Sequence, residues 1–199
     1  TSQENALAKQ LVTGIRQRTN QILVSAMLGG EINKYGVKMN QRNKKAPDLH
    51  ATVHWADKNP SEEIKRHLKF VKDKGVLEVG SGSGYGTNRL AKVAKNISGI
   101  DGDEIAVRKS REKYRSNNLK FSHSKIEDYT SGKKFDVVIA LQVLEHVENP
   151  KLFLEKITSL TKNNSLLIIA TPNNHTQSYN ENPYHYKEYS FTELRSILL

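Results

Sequence analysis

Val76-Leu-Glu-Val-Gly80-Ser-Gly82-Ser-Gly84-Tyr-Gly86 decides how this chain is read. A short apolar run passes straight into glycines at alternate positions, and an amphipathic stretch follows over residues 85–94. A buried strand that turns through glycines into a helix lets the backbone approach a nucleotide-like ligand at the carboxyl edge of a sheet. Two phosphate-binding patterns are excluded. No Gly-Lys-Ser/Thr follows, so this is not a P-loop. A dinucleotide fingerprint anchored on Gly80 and Gly82 would need its third glycine where Tyr85 stands. An acid, Glu78, lies two residues before the first glycine.

Outward from this string, short apolar runs alternate with amphipathic stretches. Runs at 76–79, 97–100, 119–122, 135–141 and 166–170 are bounded by glycine or polar residues, as suits parallel strands buried on both faces. Helical patterns at 85–94, 104–114 and 152–160 lie between them, which predicts right-handed βαβ units in a doubly wound sheet of five strands. Ser61-Glu62-Glu63 opens a further helix with Ile64, Leu68 and Val71 on one face. Near the start, Leu7, Leu11, Ile15, Ile22 and Ala26 share one face of a helix predicted over about 4–28, with Gly29-Gly30 as its stop. The chain therefore divides into a basic helical N-terminal extension over 1–59 and an α/β domain over 60–199. The sequence closes on a helical pattern at 191–199, so the expectation is either a short version of such a sheet or one whose last strands lie beyond the sequence given.

The 199 residues make about one domain, and 36% apolar residues are enough for a core. Cysteine is absent, which excludes disulfide scaffolds, thiolate zinc sites and cysteine nucleophiles. No apolar run approaches the roughly 20 residues of a membrane helix, and Thr1-Ser-Gln-Glu lacks the order of a secretory signal. The expected location is cytoplasmic. Net charge is +10, and residues 1–75 hold 14 Lys+Arg against 7 Asp+Glu, with a dense stretch at Lys38, Arg42, Lys44 and Lys45. Such a patch tracks phosphates, attracts acidic substrates or simply keeps a surface solvated.

Gly80-x-Gly82-x-Gly84 behind Glu78 resembles motif I of the class I S-adenosylmethionine-dependent methyltransferases. Ile97-Ser-Gly-Ile100-Asp101 adds a second marker, an acid 21 positions after Gly80. Such an acid accepts hydrogen bonds from ribose hydroxyls, caps the helix that starts near Glu104, or does both. Phe135-Asp136 and the ending Leu144-Glu145-His146 resemble the family's fourth motif as found in many small-molecule members. The resemblance spans residues 61–199. It implies a Rossmann-like class I methyltransferase fold with S-adenosyl-L-methionine as cofactor. Around that cofactor it places Glu78, Gly80, Ser81, Gly82, Gly84, Tyr85, Asp101, Gly102, Lys125, Ile126, Glu127, Leu141 and Gln142. Ser124-Lys125-Ile126-Glu127-Asp128 departs from the family pattern, because Lys125 occupies the usual acid position. The adenine contact then falls to backbone amides or to Glu127, unless Glu127-Asp128 only starts a helix.

Methyl transfer is an in-line displacement that needs alignment and, for a hydroxyl acceptor, removal of a proton. His146 is the candidate base, since imidazole titrates near neutrality, and Glu145 and His185 are the further catalytic candidates. The alternative for His146 is a histidine that only shapes its loop. Gln142-x-x-Glu145-His146 resembles the Glu-x-x-Glu-His metal motif of ubiquinone-biosynthesis O-methyltransferases and small-RNA terminal 2′-O-methyltransferases. Gln142 removes one anionic ligand, so no metal is expected. Thr171-Pro-Asn-Asn-His175 and Asn182-Pro-Tyr184-His185-Tyr186 resemble methyltransferases of sugar and natural-product pathways. The long loop between them reads as a lid, in which Tyr184 and His185 touch the acceptor or pack the loop. Trp55 covers the cofactor cleft or anchors the N-terminal helix. The expected function is methylation of an oxygen of a small molecule or sugar, with His146 assisting. The alternatives are an RNA methyltransferase using the basic extension, or a catalytically silent subunit that binds a partner. Against RNA, the extension shows no interleaved aromatics for base stacking.

Overall fold

A computed structural model describes residues 19–27, 60–172 and 184–198. Its strands are β1 (Thr19–Met27), β2 (Gly75–Val79), β3 (Asn96–Asp101), β4 (Leu119–His123), β5 (Phe135–Leu141) and β6 (Thr161–Pro172). Its helices are α1 (Pro60–Val71), α2 (Tyr85–Ala91), α3 (Glu104–Lys113), α4 (Pro150–Leu160) and α5 (Phe191–Leu198), with one 3₁₀ turn at Leu144–His146. All strand pairs are parallel, in the order β1-β6-β5-β2-β3-β4. From β2 the chain winds outward through β3 to β4, then crosses back to β5 on the other side. The order therefore reverses between β2 and β5, and a crevice opens there at the strands' carboxyl ends.

Both sheet faces are covered, which is why the central strands β2 and β5 and residues 165–172 of β6 are buried nearly throughout, while the edge strand β4 is buried only at Phe121. Leu77, Val79, Val138 and Leu167 face Phe153, Leu154 and Ile157 of α4. Val76, Val137, Ile139 and Ile168 face the opposite way, toward Ile64 of α1 and Leu90 of α2. Each such side chain contributes about 1.5–3 kcal/mol by leaving water. Helix starts follow their caps. The Asp103 carboxylate accepts from Ile105 N and Ala106 N at the head of α3, at 2.8 and 3.1 Å. The Asn149 side chain accepts from Leu152 N at 3.0 Å, one residue before Pro150 opens α4.

The N-terminal helix expected over 4–28 is corrected where it can be followed. Residues 19–27 form β1, which aligns Ile22 with Leu167 and Val24 with Ile169. The helical spacing loses there to Ile22-Leu23-Val24, a continuous apolar run that suits a strand, and to the open edge of β6. The sheet thus has six strands rather than five, and this part of the 1–59 extension belongs to it. Residues 1–18 and 28–59, including Lys38, Arg42, Lys44, Lys45 and Trp55, lie outside the described residues. The strand expected at 166–170 also starts earlier, because residues 162–165 bulge between the pairs Phe135–Thr161 and Val137–Leu166. Among the described residues no helix is long and apolar enough to cross a membrane.

Candidate active site

The glycine string forms the loop from β2 into α2. At Gly80, with φ 72°, a Cβ would lie 2.3 Å from Val143 Cγ2, so no larger residue fits. Gly82 has φ 49° and nothing within 4 Å of the place a Cβ would take. It faces open space. The loop is tied to the end of β3, because Gly80 N and Ser81 N both donate to Ile100 O at 2.9 Å. Asp101 completes this tie. Its Oδ2 accepts from Gly82 N at 2.7 Å and its Oδ1 from Asp103 N at 2.8 Å. Since Asp103 caps α3, Asp101 is not that helix's cap, and its carboxylate stands at the crevice.

A cleft of about 820 Å³ opens over this loop. Of the residues expected around a cofactor, Gly80, Gly82, Asp101, Gly102, Lys125, Ile126, Glu127 and Gln142 line it. Glu78 and Ser81 do not; they are buried. Gly84 packs against Ser110 and Phe121, and Leu141 against the core. Tyr85 turns outward at 38% exposure, and its hydroxyl accepts from Arg89 Nη1 at 2.8 Å. Arg89, one turn further along α2, sends its side chain back toward the helix start and holds Tyr85 outside the lining of the cleft. Glu127 and Asp128 start no helix; they lie in a turn closed by Tyr129 N donating to Ile126 O. Asp136 of the fourth motif is remote from the cleft, where it accepts from Gly75 N and pairs with Lys162 at the amino end of β5.

Burial drives the Glu78 carboxyl up to about 7; the Thr87 hydroxyl opposes this and the Asp101 charge adds to it. Among the described residues its Oε2 has no hydrogen-bond partner. The open cradle at Gly82, beside the Asp101 carboxylate, fits a cofactor that approaches the loop backbone closely. Gln142 adds a strained donor. It takes φ 55°, rare for a residue with a side chain, while its N donates to Ala170 O. Its Nε2 is buried with no partner among the described residues.

Beyond Gln142, the 3₁₀ turn carries Glu145 and His146. Glu145 is buried, with Oε2 accepting from Thr171 Oγ1 at 3.0 Å. Burial raises its pKa, against hydrogen bonds and the two nearby histidines. Its carbonyl accepts from Tyr186 N at 2.8 Å, which clasps the 184–190 segment onto the turn. His146 is exposed in the cleft, and its Nδ1 lies 2.9 Å from Tyr184 O. A carbonyl only accepts, so Nδ1 carries the proton and the neutral ring keeps its lone pair on Nε2. His185 lies edge-on to His146, with ring centroids 4.8 Å apart, and its Nδ1 donates to Glu188 Oε1 at 2.8 Å. His185 and Glu188 are nearly buried. Ligand atoms of Glu145, His146 and His185 lie within 4.8 Å of one another, and this is the group that could take a metal among the described residues. The expectation of no metal rested on Gln142 and Glu145-His146 alone, before His185 joined them.

Three contributors have no role in the sequence reading: Glu188 behind His185, and, within the quoted motifs, the Thr171 hydroxyl behind Glu145 and Tyr186, which lines the cleft. Only the i, i+3 spacing of His185 and Glu188 could have pointed to one of them. His175 and residues 173–183 of the expected lid lie outside the described residues.

A parallel sheet with glycines at alternate positions after one strand and an acid at the end of the next is a Rossmann-like arrangement, and together with the family match it gives a class I S-adenosylmethionine-dependent methyltransferase fold. The chain belongs to the methyltransferase domain family, which matches residues 70–194. It is 32% identical over 120 residues to a ubiquinone biosynthesis O-methyltransferase of Rickettsia bellii, covering 59% of this chain and 50% of that protein. It is 32% identical over 157 residues to a probable S-adenosylmethionine-dependent methyltransferase of Mycobacterium tuberculosis, covering 77% and 57%. The chain thus spans about half the length of the curated relatives it matches. Among solved structures, the YcgJ protein of Bacillus subtilis superposes with a TM-score of 0.60 at 17% identity, over 69% of this chain and 66% of that one. DhpI, solved in a SAM and HEP complex, gives 0.57 at 21% identity, over 69% and 74%. These two likenesses concern the fold.

Proposed function

We propose that the chain transfers a methyl group from S-adenosylmethionine to an oxygen of a small molecule, with a sugar among the acceptors considered, and that His146 assists as general base. The observation that carries this reading is the Nδ1 to Tyr184 O hydrogen bond, which leaves the proton-accepting nitrogen to a ring that lines the cleft. When bound, S-adenosylmethionine would supply an electrophilic methyl on sulfur, whose C–S bond would break as the acceptor's C–O bond forms, with S-adenosylhomocysteine as the other product. The chain's residues do the rest. The glycine loop and Asp101 hold the cofactor end of the cleft, and Gln142 offers a donor to a ligand oxygen. Glu145 fixes the turn that presents His146, and His146 Nε2 takes the hydroxyl proton. Likeness to a ubiquinone biosynthesis O-methyltransferase supports oxygen as the methylated atom.

The test is transfer of labelled methyl to hydroxylated acceptors. His146→Ala should lower kcat by about 10²–10⁴-fold while S-adenosylhomocysteine binds as before. Unchanged kcat in that variant would remove the base role.

A further inference from the structure

Charge around the cleft runs against the charge of the chain. Thirty-one lysines and arginines occur in 199 residues, and the net charge is +10. Yet none occurs from Phe135 to Pro150, from 163 to 172, or from Tyr184 to Tyr186. These stretches hold His146; Lys151 and Lys187 stand directly beyond them, outside the lining of the cleft, and Lys187 pairs with Glu193. Among the residues that line the cleft, Lys125 is the one lysine or arginine, and it lies against Gly102 in the cofactor half. The acceptor half instead holds Glu148, exposed at the rim. Lysines gather elsewhere. Lys74, Lys95, Lys133, Lys134 and Lys162 line a second groove, of about 1310 Å³, by the amino ends of β2, β3 and β5.

The same half of the cleft is apolar. Among the described residues five large apolar side chains are exposed, and three of them gather here. Leu152 and Tyr186 line the cleft at 48% and 66% exposure, and Tyr184, at 77%, holds His146 through its carbonyl. Aromatic faces left in water at one mouth are the surface a ring would cover.

We propose that the acceptor is a ring-bearing, apolar molecule, uncharged or cationic, and that anionic acceptors are rejected. This rests on the methyl-transfer reading above. A carboxylate or phosphate entering beside His146 would give up water, meet Glu148 and find no lysine or arginine among the described residues of the lining to pair with. A neutral ring would lose nothing and would cover Leu152 and Tyr186. The lysines that could hold a phosphate lie in the other groove.

The test uses three phenols that share the reacting hydroxyl and differ in charge: 4-ethylphenol, tyramine and 4-hydroxyphenylacetate. Each is titrated into the protein saturated with S-adenosylhomocysteine, at pH 7. The neutral and cationic phenols should bind about tenfold or more tightly than the anion. Glu148→Lys, at the exposed rim, should close most of that gap without altering affinity for S-adenosylhomocysteine. Tyr186→Ala should weaken all three phenols. Equal or tighter binding of 4-hydroxyphenylacetate to the wild type would overturn the proposal. So would failure of every phenol to bind a protein that still takes S-adenosylhomocysteine. Failure to bind S-adenosylhomocysteine would instead strike the methyl-transfer reading.

Discussion

Glu78→Gln isolates the most perturbed acid near the glycine loop. The carboxyl is 5% exposed and sits at about 7 in the folded chain against 4.5 ordinarily. The folded state therefore keeps its proton where the unfolded chain has lost it. Stability from this group is fully present below pH 4.5 and is lost as pH rises through 7. A rise of that size corresponds to about 3 kcal/mol, of which about 2–3 falls between pH 5 and pH 8. Glutamine has the same shape and no proton to lose, so the variant should not show this loss. Urea denaturation of cofactor-free protein at pH 5, 6, 7 and 8 measures the difference directly. The variant should gain on the wild type by about 2–3 kcal/mol across that range. A difference that stays constant from pH 5 to pH 8 would refute the claim that burial holds Glu78 protonated.

Gly80→Ala should lower unfolding stability by about 1–3 kcal/mol, seen as a lower urea midpoint, because its Cβ would meet Val143 at 2.3 Å in a left-handed backbone. Methyl transfer should persist in excess chelator; activity lost there and restored by magnesium would assign Glu145, His146 and His185 to an ion. In that event Gln142→Glu should tighten the ion's binding.

The parallel sheet from β2 to β6 was legible because β2, β5 and most of β6 are apolar runs buried on both faces, and the shorter apolar pieces of β3 and β4 recur between helical stretches. The glycine loop and Asp101 were legible because their spacing follows from one turn and one strand. β1 was not. Its apolar residues fit a helical face as well as a strand, and only the open edge of β6 decides between them. Tyr85 misled for a related reason: it stands beside the glycines in sequence, yet Arg89 of α2 holds its side chain outside the lining of the cleft. The surroundings of His146 were only half legible. Leu144-Glu145-His146 is a local signal, whereas the acceptor for His146 is the Tyr184 carbonyl, 38 residues later, brought back by the clasp on Glu145 O. No local pattern records a contact of that range.

The central claim is that the open cradle at Gly82, beside Asp101, holds the cofactor. Calorimetric titration of S-adenosylhomocysteine into wild type and Gly82→Val tests it most directly. Nothing lies within 4 Å of the Gly82 Cβ position, so valine has room in the cofactor-free chain and would fill the space the ligand needs. Its φ of 49° adds a strain cost, so cooperative unfolding of the variant is checked alongside. The account predicts one site per wild-type chain and affinity at least about 100-fold weaker in the folded variant, or about 3 kcal/mol. Equal affinity in a folded Gly82→Val protein would contradict it.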